Sequence, residues 1–257
     1  MLYESMRQDS IAMRKNSLAL DSAHKARHLA ESDSGTPRIT VRERNGCERF
    51  LKRFIDASIS LSVLVIGFPF LFAVALLIKL TSRGPVFFTQ ERIGEHGNIF
   101  TLYKFRTMKT NCDDSLHREF TRNFIQGQLP NSALDGEGSS TYKLKDDPRI
   151  TAVGNFLRRT SLDEIPQFIN ILKGEMSIVG PRPPLAYEYE FYEDWHKLRL
   201  TVKPGLTGLW QVSGRSSVPF HEMVMLDLYY IENWSLRLDT KIMLQTIPVM
   251  LVGTGGF

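Results

Sequence analysis

Disulfide and zinc chemistry have little to work with in this sequence. Its 257 residues include two cysteines, Cys47 and Cys112, which form no CxxC pair and have no histidine at metal spacing. A reducing compartment without a structural disulfide is the simplest expectation, with a bridge between the two as the formal alternative. The usual phosphate-cradling loops, GxxxxGK[ST] and GxGxxG, are missing, as is a DxD metal motif. No internal repeat appears. No apolar core follows the start, so the first residues do not read as a secretory signal. Neither sign of charge dominates: 32 Lys and Arg against 28 Asp and Glu leave a net charge of +4. That balance allows phosphates, nucleotides or lipid headgroups as partners and requires none of them.

What the chain does have is unevenly distributed. Residues 1–46 are polar and rich in Ser, Arg, Lys and Asp, and read as a disordered tail. Ala57–Ile78 is then 22 residues without a charge, and a bilayer core needs about 20 apolar residues in a helix. Pro69, with Gly67 nearby, should bend or break that helix. Lys52 and Arg53 precede the segment, and Lys79 and Arg83 follow it. Positive charge favours the cytoplasmic side. Residues 47–82 are therefore expected to enter the membrane and return, so that both basic clusters stay on one side; a kinked span is the competing form.

Residues 83–257 are mixed in character. "GPVFFTQERIGEHGNIFTLYKFRTM" predicts a hairpin, with strands near Val86–Gln90 and Ile99–Phe105 around a turn at Gly94–Asn98. Residues 111–147 read as a long loop or insertion. In "RRTSLDEIPQFINILKG", Leu162, Ile165, Phe168, Ile169 and Leu172 share a helical face that stops at Gly174. Asp163 and Glu164 precede it. As a helix start they suit the dipole, and Ser161 with Glu164 spells a capping box. Structural and chemical roles both fit this pair. Pro181, Pro183 and Pro184 stiffen a loop around Arg182, glycines break up regular structure before Arg215, and Arg106, Arg158 and Arg159 also sit beside structural punctuation. An arginine fixed in this way is preorganised for bidentate phosphate contacts.

The blocks "KRFIDASISL", "TQERIG", "YKFRTM", "DPRITAVGNFLRRTSLDEIPQFINILKGEMSIVGPRP", "KPGLTGLWQVSGR" and "LDLYYIENWSL" follow one another from about residue 49 to the end. In this order the chain resembles the monotopic phosphoglycosyl transferases, bacterial sugar transferases that act on polyprenyl phosphate, in their small, core-only form. The resemblance implies an α/β, mostly helical, membrane-associated fold. An N-terminal re-entrant membrane helix would be followed by a compact cytoplasmic catalytic domain, residues 83–257, with a small β-hairpin. It implies transfer of a sugar 1-phosphate from a UDP-sugar to undecaprenyl phosphate with release of UMP, at the first membrane step of exopolysaccharide, capsule or O-antigen synthesis. Mg2+ is the implied cofactor. Asp163 is implied as nucleophile and metal ligand and Glu164 as a supporting base. Arg158, Arg182, Arg215, Lys104 and Arg106 are implied as phosphate or nucleotide contacts, and Asp227 as a further active-site acid. Pro69 is implied as the membrane-helix break, although Phe68 stands where many members have Ser. The implied setting is the cytoplasmic face of the inner membrane. The resemblance implies membrane lipid as a partner and no nucleic acid, and allows a homo-oligomer. The competing readings are a membrane-tethered glycosyltransferase that releases UDP and a non-catalytic membrane assembly protein.

Overall fold

The computed structural model describes residues 44–109, 115–126, 134–135, 139–140, 149–213 and 219–251. Expectations for the first 43 residues, Cys112 and Arg215 fall outside them. One long helix leads: α1, Gly46–Thr81. The hairpin follows as β1 (Phe87–Ile93) and β2 (Ile99–Phe105), paired antiparallel with Ile93 opposite Ile99. Within the five-residue turn Gly94–Asn98, His96 and Gly97 are left-handed. Part of the stretch read as a loop is helical, α2 at Ser115–Ile125. A two-residue pairing of β3 (Leu134–Asp135) with β4 (Ser139–Ser140) comes next.

The centre of the domain is helical. α3 spans Ala152–Arg159, and the Thr151 hydroxyl accepts from the Gly154 N–H at its start. A 3-10 turn at Leu162–Glu164 leads into α4, Gln167–Lys173, which ends at left-handed Gly174 as the sequence predicts. β5 (Ser177–Val179) and β6 (Gly205–Thr207) pair in parallel. Their crossover carries α5 (Ala186–Tyr189), α6 (Asp194–Lys197) and a 3-10 turn at Leu198–Thr201. α7 (Leu209–Ser213), α8 (Phe220–Glu232) and α9 (Leu236–Leu251) complete the chain. β5 is buried along its whole length, as a parallel strand covered on both faces must be. The main core gathers Ile171, Met176, Val179, Leu209, Leu228 and Trp234 around it.

The apolar helix is docked at both ends. In its first half, Lys52, Asp56 and Ser60 are buried. Lys52 Nζ donates to Asp239 Oδ2 at 2.7 Å and to the Val179 carbonyl at 3.2 Å. Asp56 accepts from the Ile178 N–H at 3.1 Å. Arg53 donates to the Ile171 and Leu172 carbonyls at the C-terminus of α4. In its last turns, Val74 and Ile78 join Phe105 and Leu157 in a second apolar cluster, with Leu71 and Ala75 packed against it. Lys52 and Arg53, which the sequence offers as basic flanks, therefore hold helix to domain through polar contacts. Between Ser60 and Val74 no residue is buried, and only 11% of the most apolar window is covered by protein. The helix runs on through Pro69 instead of ending there.

Asp239 also accepts from Tyr230 Oη at 2.8 Å and Trp234 Nε1 at 3.1 Å. Removing one partner of a buried pair strands the other charge, at a cost of about 3–5 kcal/mol. Asp239→Ala should lose that much stability in detergent-based unfolding, and more than Lys52→Met, which leaves Asp239 its two other donors. An Asp239→Ala protein within about 1 kcal/mol of wild type would show that the network does not hold the helix.

Candidate active site

Asn170 determines where the acidic pair meets the hairpin. β2 is an edge strand, and edge backbone groups need partners. Asn170, fully buried on α4, supplies them: its Oδ1 accepts from the Tyr103 N–H at 3.1 Å and its Nδ2 donates to the Thr101 carbonyl at 2.7 Å. This docking brings the turn just before α4 against Lys104. Strand alternation places Leu102 and Lys104 on one face of β2. Lys104 Nζ reaches Glu164 Oε1 at 2.6 Å, with both side chains mostly covered.

The two neighbouring acids therefore differ. Glu164 is held by Lys104. Asp163 is buried yet has no ion pair among the described residues. Burial pushes its carboxyl up from 3.8 to about 6. Lys104 opposes the rise, Glu164 adds to it, and Arg158 opposes it again. Arg158, in the last turn of α3, is thus close enough for its charge to act on Asp163.

Ser161 is left-handed at φ 55° and makes no side-chain cap, so the expected capping box is not formed. Glu164 turns to Lys104 instead. The continuous helix expected from Leu162 onward is divided at Pro166, and α4 starts four residues after Asp163, so Asp163 is not in its first turn. A non-glycine residue held left-handed is a local strain that the surroundings must impose. Here it turns the chain sharply between α3 and the acidic pair.

An open cleft lies beside Glu164, lined by Lys104, Glu164, Gln167, Arg182, Arg92 and Gln211 among others; Asp163 is next to it in the chain but is not part of its lining. The prolines around Arg182 act as expected, and the loop is pinned from two sides. Arg92 donates to the Pro183 carbonyl at 3.0 Å and the Ile93 N–H to the Pro184 carbonyl at 3.0 Å. On the other side, the Gly205 N–H donates to the Pro181 carbonyl at 2.8 Å. The glycines of "KPGLTG" make this approach possible: a Cβ on Gly205 would sit 2.1 Å from the Gly180 nitrogen.

Two predicted site residues lie elsewhere. Arg106 donates to the Ser82 and Arg83 carbonyls and to Ser82 Oγ at 2.7–2.9 Å, closing the C-terminal end of α1. Its planar fork is used on backbone, not on the cleft. Asp227 is in the interior of α8, ion-paired to Arg199, which also donates to Tyr192 Oη at 2.9 Å. Burial raises its carboxyl to about 6 against the pull of Arg199. It supports the core and does not line the cleft. Sequence reading missed Arg92, Asn170, Gln167 and Gln211. Arg92 and Gln211 lie within recognised blocks but carry no spacing signal of their own. Asn170 looked like one more polar residue on a helix.

The profile described as bacterial sugar transferase matches residues 47–253. The exopolysaccharide production protein ExoY of Sinorhizobium fredii is 43% identical over 206 residues, covering 80% of this chain and 88% of that one. The undecaprenyl-phosphate galactose phosphotransferase of Salmonella typhimurium is 43% identical over 81% of this chain and 42% of its own length. The UDP-glucose:undecaprenyl-phosphate glucose-1-phosphate transferase of Escherichia coli is 38% identical over 84% of this chain and 44% of its own. The chain thus spans less than half of the last two. A match across nearly all the described residues, with most of one relative's length covered, means that the chain belongs to the bacterial sugar transferase family.

Proposed function

We propose that the protein transfers a sugar 1-phosphate from a UDP-sugar to undecaprenyl phosphate and releases UMP, at an early membrane step of polysaccharide synthesis. The observation that carries this reading is the unpaired, buried Asp163 beside a cleft lined by Lys104 and Arg182, in a domain docked to an exposed apolar helix. An Asp163 oxygen attacks the β-phosphorus, the bond from that phosphorus to the bridging oxygen breaks, and UMP leaves. The lipid phosphate oxygen then attacks the same phosphorus, and the Asp163 carboxylate departs regenerated. Lys104 keeps Glu164 in place and offsets charge near the phosphates. Arg182, and Arg158 beside Asp163, offset more of it, because two anions approach each other only where repulsion is cancelled.

Mg2+ fits this donor set. No group of three or more His, Cys, Asp or Glu converges among the described residues, and Mg2+ is commonly bound by one or two carboxylates with substrate phosphates. Asp163 would hold it, with Glu164 beside it, and it would supply further charge neutralisation at the diphosphate. Asp163→Asn keeps the shape and removes the nucleophile, so turnover should collapse while folding survives. Wild type incubated with a UDP-sugar and no lipid should release one equivalent of UMP and leave the phosphosugar on the peptide containing Asp163. Release of UDP instead would establish the tethered glycosyltransferase reading.

The raised pKa has a stability consequence. The unfolded carboxyl ionises near 3.8 and the folded one near 6. The folded state is therefore penalised once pH rises through that window, by up to about 3 kcal/mol above pH 6. In metal-free protein, Asp163→Asn should be more stable than wild type at pH 8, with the gain vanishing toward pH 4. An equal or lower melting temperature at pH 8 would contradict this.

The docking of both helix ends supports a re-entrant arrangement. A straight helix of 36 residues extends about 54 Å, longer than the roughly 30 Å hydrocarbon core. Both of its ends contact one domain. A re-entrant helix keeps that domain on the cytoplasmic face of the inner membrane with both basic flanks. With Cys112 replaced by Ser, exposed Cys47 and a Pro85→Cys variant should both react with impermeant thiol reagents only from the cytoplasmic side. Labelling of either from outside would restore a plain span.

A further inference from the structure

Most polar groups on the cleft are cationic or paired, but one is a buried acceptor with nothing to accept. Gln211 is 4% exposed, and its Oε1 has no hydrogen-bond partner among the described residues. Its Nε2 makes a long bond of 3.5 Å to the Leu206 carbonyl. That contact orients the amide, because reversing it would set two acceptor oxygens against each other. Gly208 leaves the room: a Cβ there would stand 3.0 Å from Oε1. A buried acceptor left unsatisfied is costly unless a ligand completes it.

Lys104 and Arg182 call for phosphate oxygens, whereas the Arg92 fork is spent on the Pro183 carbonyl and Gln90. Oε1 calls for an N–H or O–H, which a diphosphate lacks. The same lining also holds Leu206, which Gln211 contacts, Leu102, Pro183 and Gly205, three apolar side chains and a position with no side chain. Such walls suit a flat base better than a polyhydroxylated sugar ring. The uracil of a uridine nucleotide, bonded to ribose through N1, keeps one N–H, at N3. We infer that Gln211 reads the base of the sugar nucleotide, its Oε1 accepting the N3–H of uracil, so that Gln211 is the base-specificity residue of the donor site. This rests on the UDP-sugar reading above.

The test measures binding of UMP and N3-methyl-UMP to wild-type protein without lipid, by calorimetry. The methyl analogue should bind about tenfold to a hundredfold more weakly. Gln211→Leu should weaken UMP by a similar factor, bind both nucleotides alike, and raise KM for the UDP-sugar more than it lowers kcat. Equal affinity of wild type for the two nucleotides overturns the assignment while leaving the transfer reaction intact. A Gln211→Leu protein that binds UMP normally but the UDP-sugar poorly assigns Oε1 to a sugar hydroxyl, which also overturns it. If no uridine nucleotide binds, the UDP-sugar reading falls, and this one with it.

Discussion

Two buried oxygens, the Val179 carbonyl and the Asp239 carboxylate, bring together parts of the chain that otherwise have no reason to meet. Lys52 of the apolar helix donates to both, the single proton of the Tyr230 hydroxyl on α8 lies within reach of both, and Trp234 adds a bond to Asp239. The network therefore joins α1, α8 and α9 at the end of β5. Burial and the Asp239 charge push the Tyr230 hydroxyl well above its ordinary range, which keeps it a donor. The next residues after Val179 are Gly180 and the Pro181–Pro184 loop. The point that fixes the apolar helix is thus one step from the loop that carries Arg182. This placement sets the cleft relative to the apolar helix.

Within the cleft the same chemistry is divided between adjacent residues. Ion pairing holds Glu164 in place, whereas Asp163 has no ion pair among the described residues and follows the strained Ser161 turn. A helix start at this point would have placed both acids on the first turn, with the backbone N–H groups satisfied. Instead the 3-10 turn and Pro166 keep the pair ahead of α4, and Asn170 docks the whole unit on the edge of β2. Stability is given up at Asp163 and recovered in contacts that need no reactive group, an exchange common at functional sites.

Much of this was legible in the sequence. The hairpin, the helix stop at Gly174, the proline-stiffened loop and the apolar segment each follow from local rules, because turn chemistry and periodicity act over a few residues. The roles of Arg106 and Asp227 did not follow. Both were read as site residues from blocks of motif, yet Arg106 finds its partners at Ser82 and Arg83, and Asp227 finds Arg199, 28 positions away. Asn170 acts across 67 and 69 positions. A long-range polar partner leaves no periodic trace, so a charged residue near a motif looks the same whether it faces substrate or backbone.

The basic flanks show the same limit from the other side. Charge counting asks only on which side of a membrane Lys52 and Arg53 belong. The fold gives them a second and more specific task, since Lys52 neutralises a buried carboxylate and Arg53 caps the C-terminus of α4, where carbonyls and the helix dipole favour a cation. Both contacts hold the first half of the helix against the domain, where Asp56 adds a third polar anchor at the Ile178 N–H. The place of these two cations is a consequence of tertiary packing as much as of the distribution of charge along the chain.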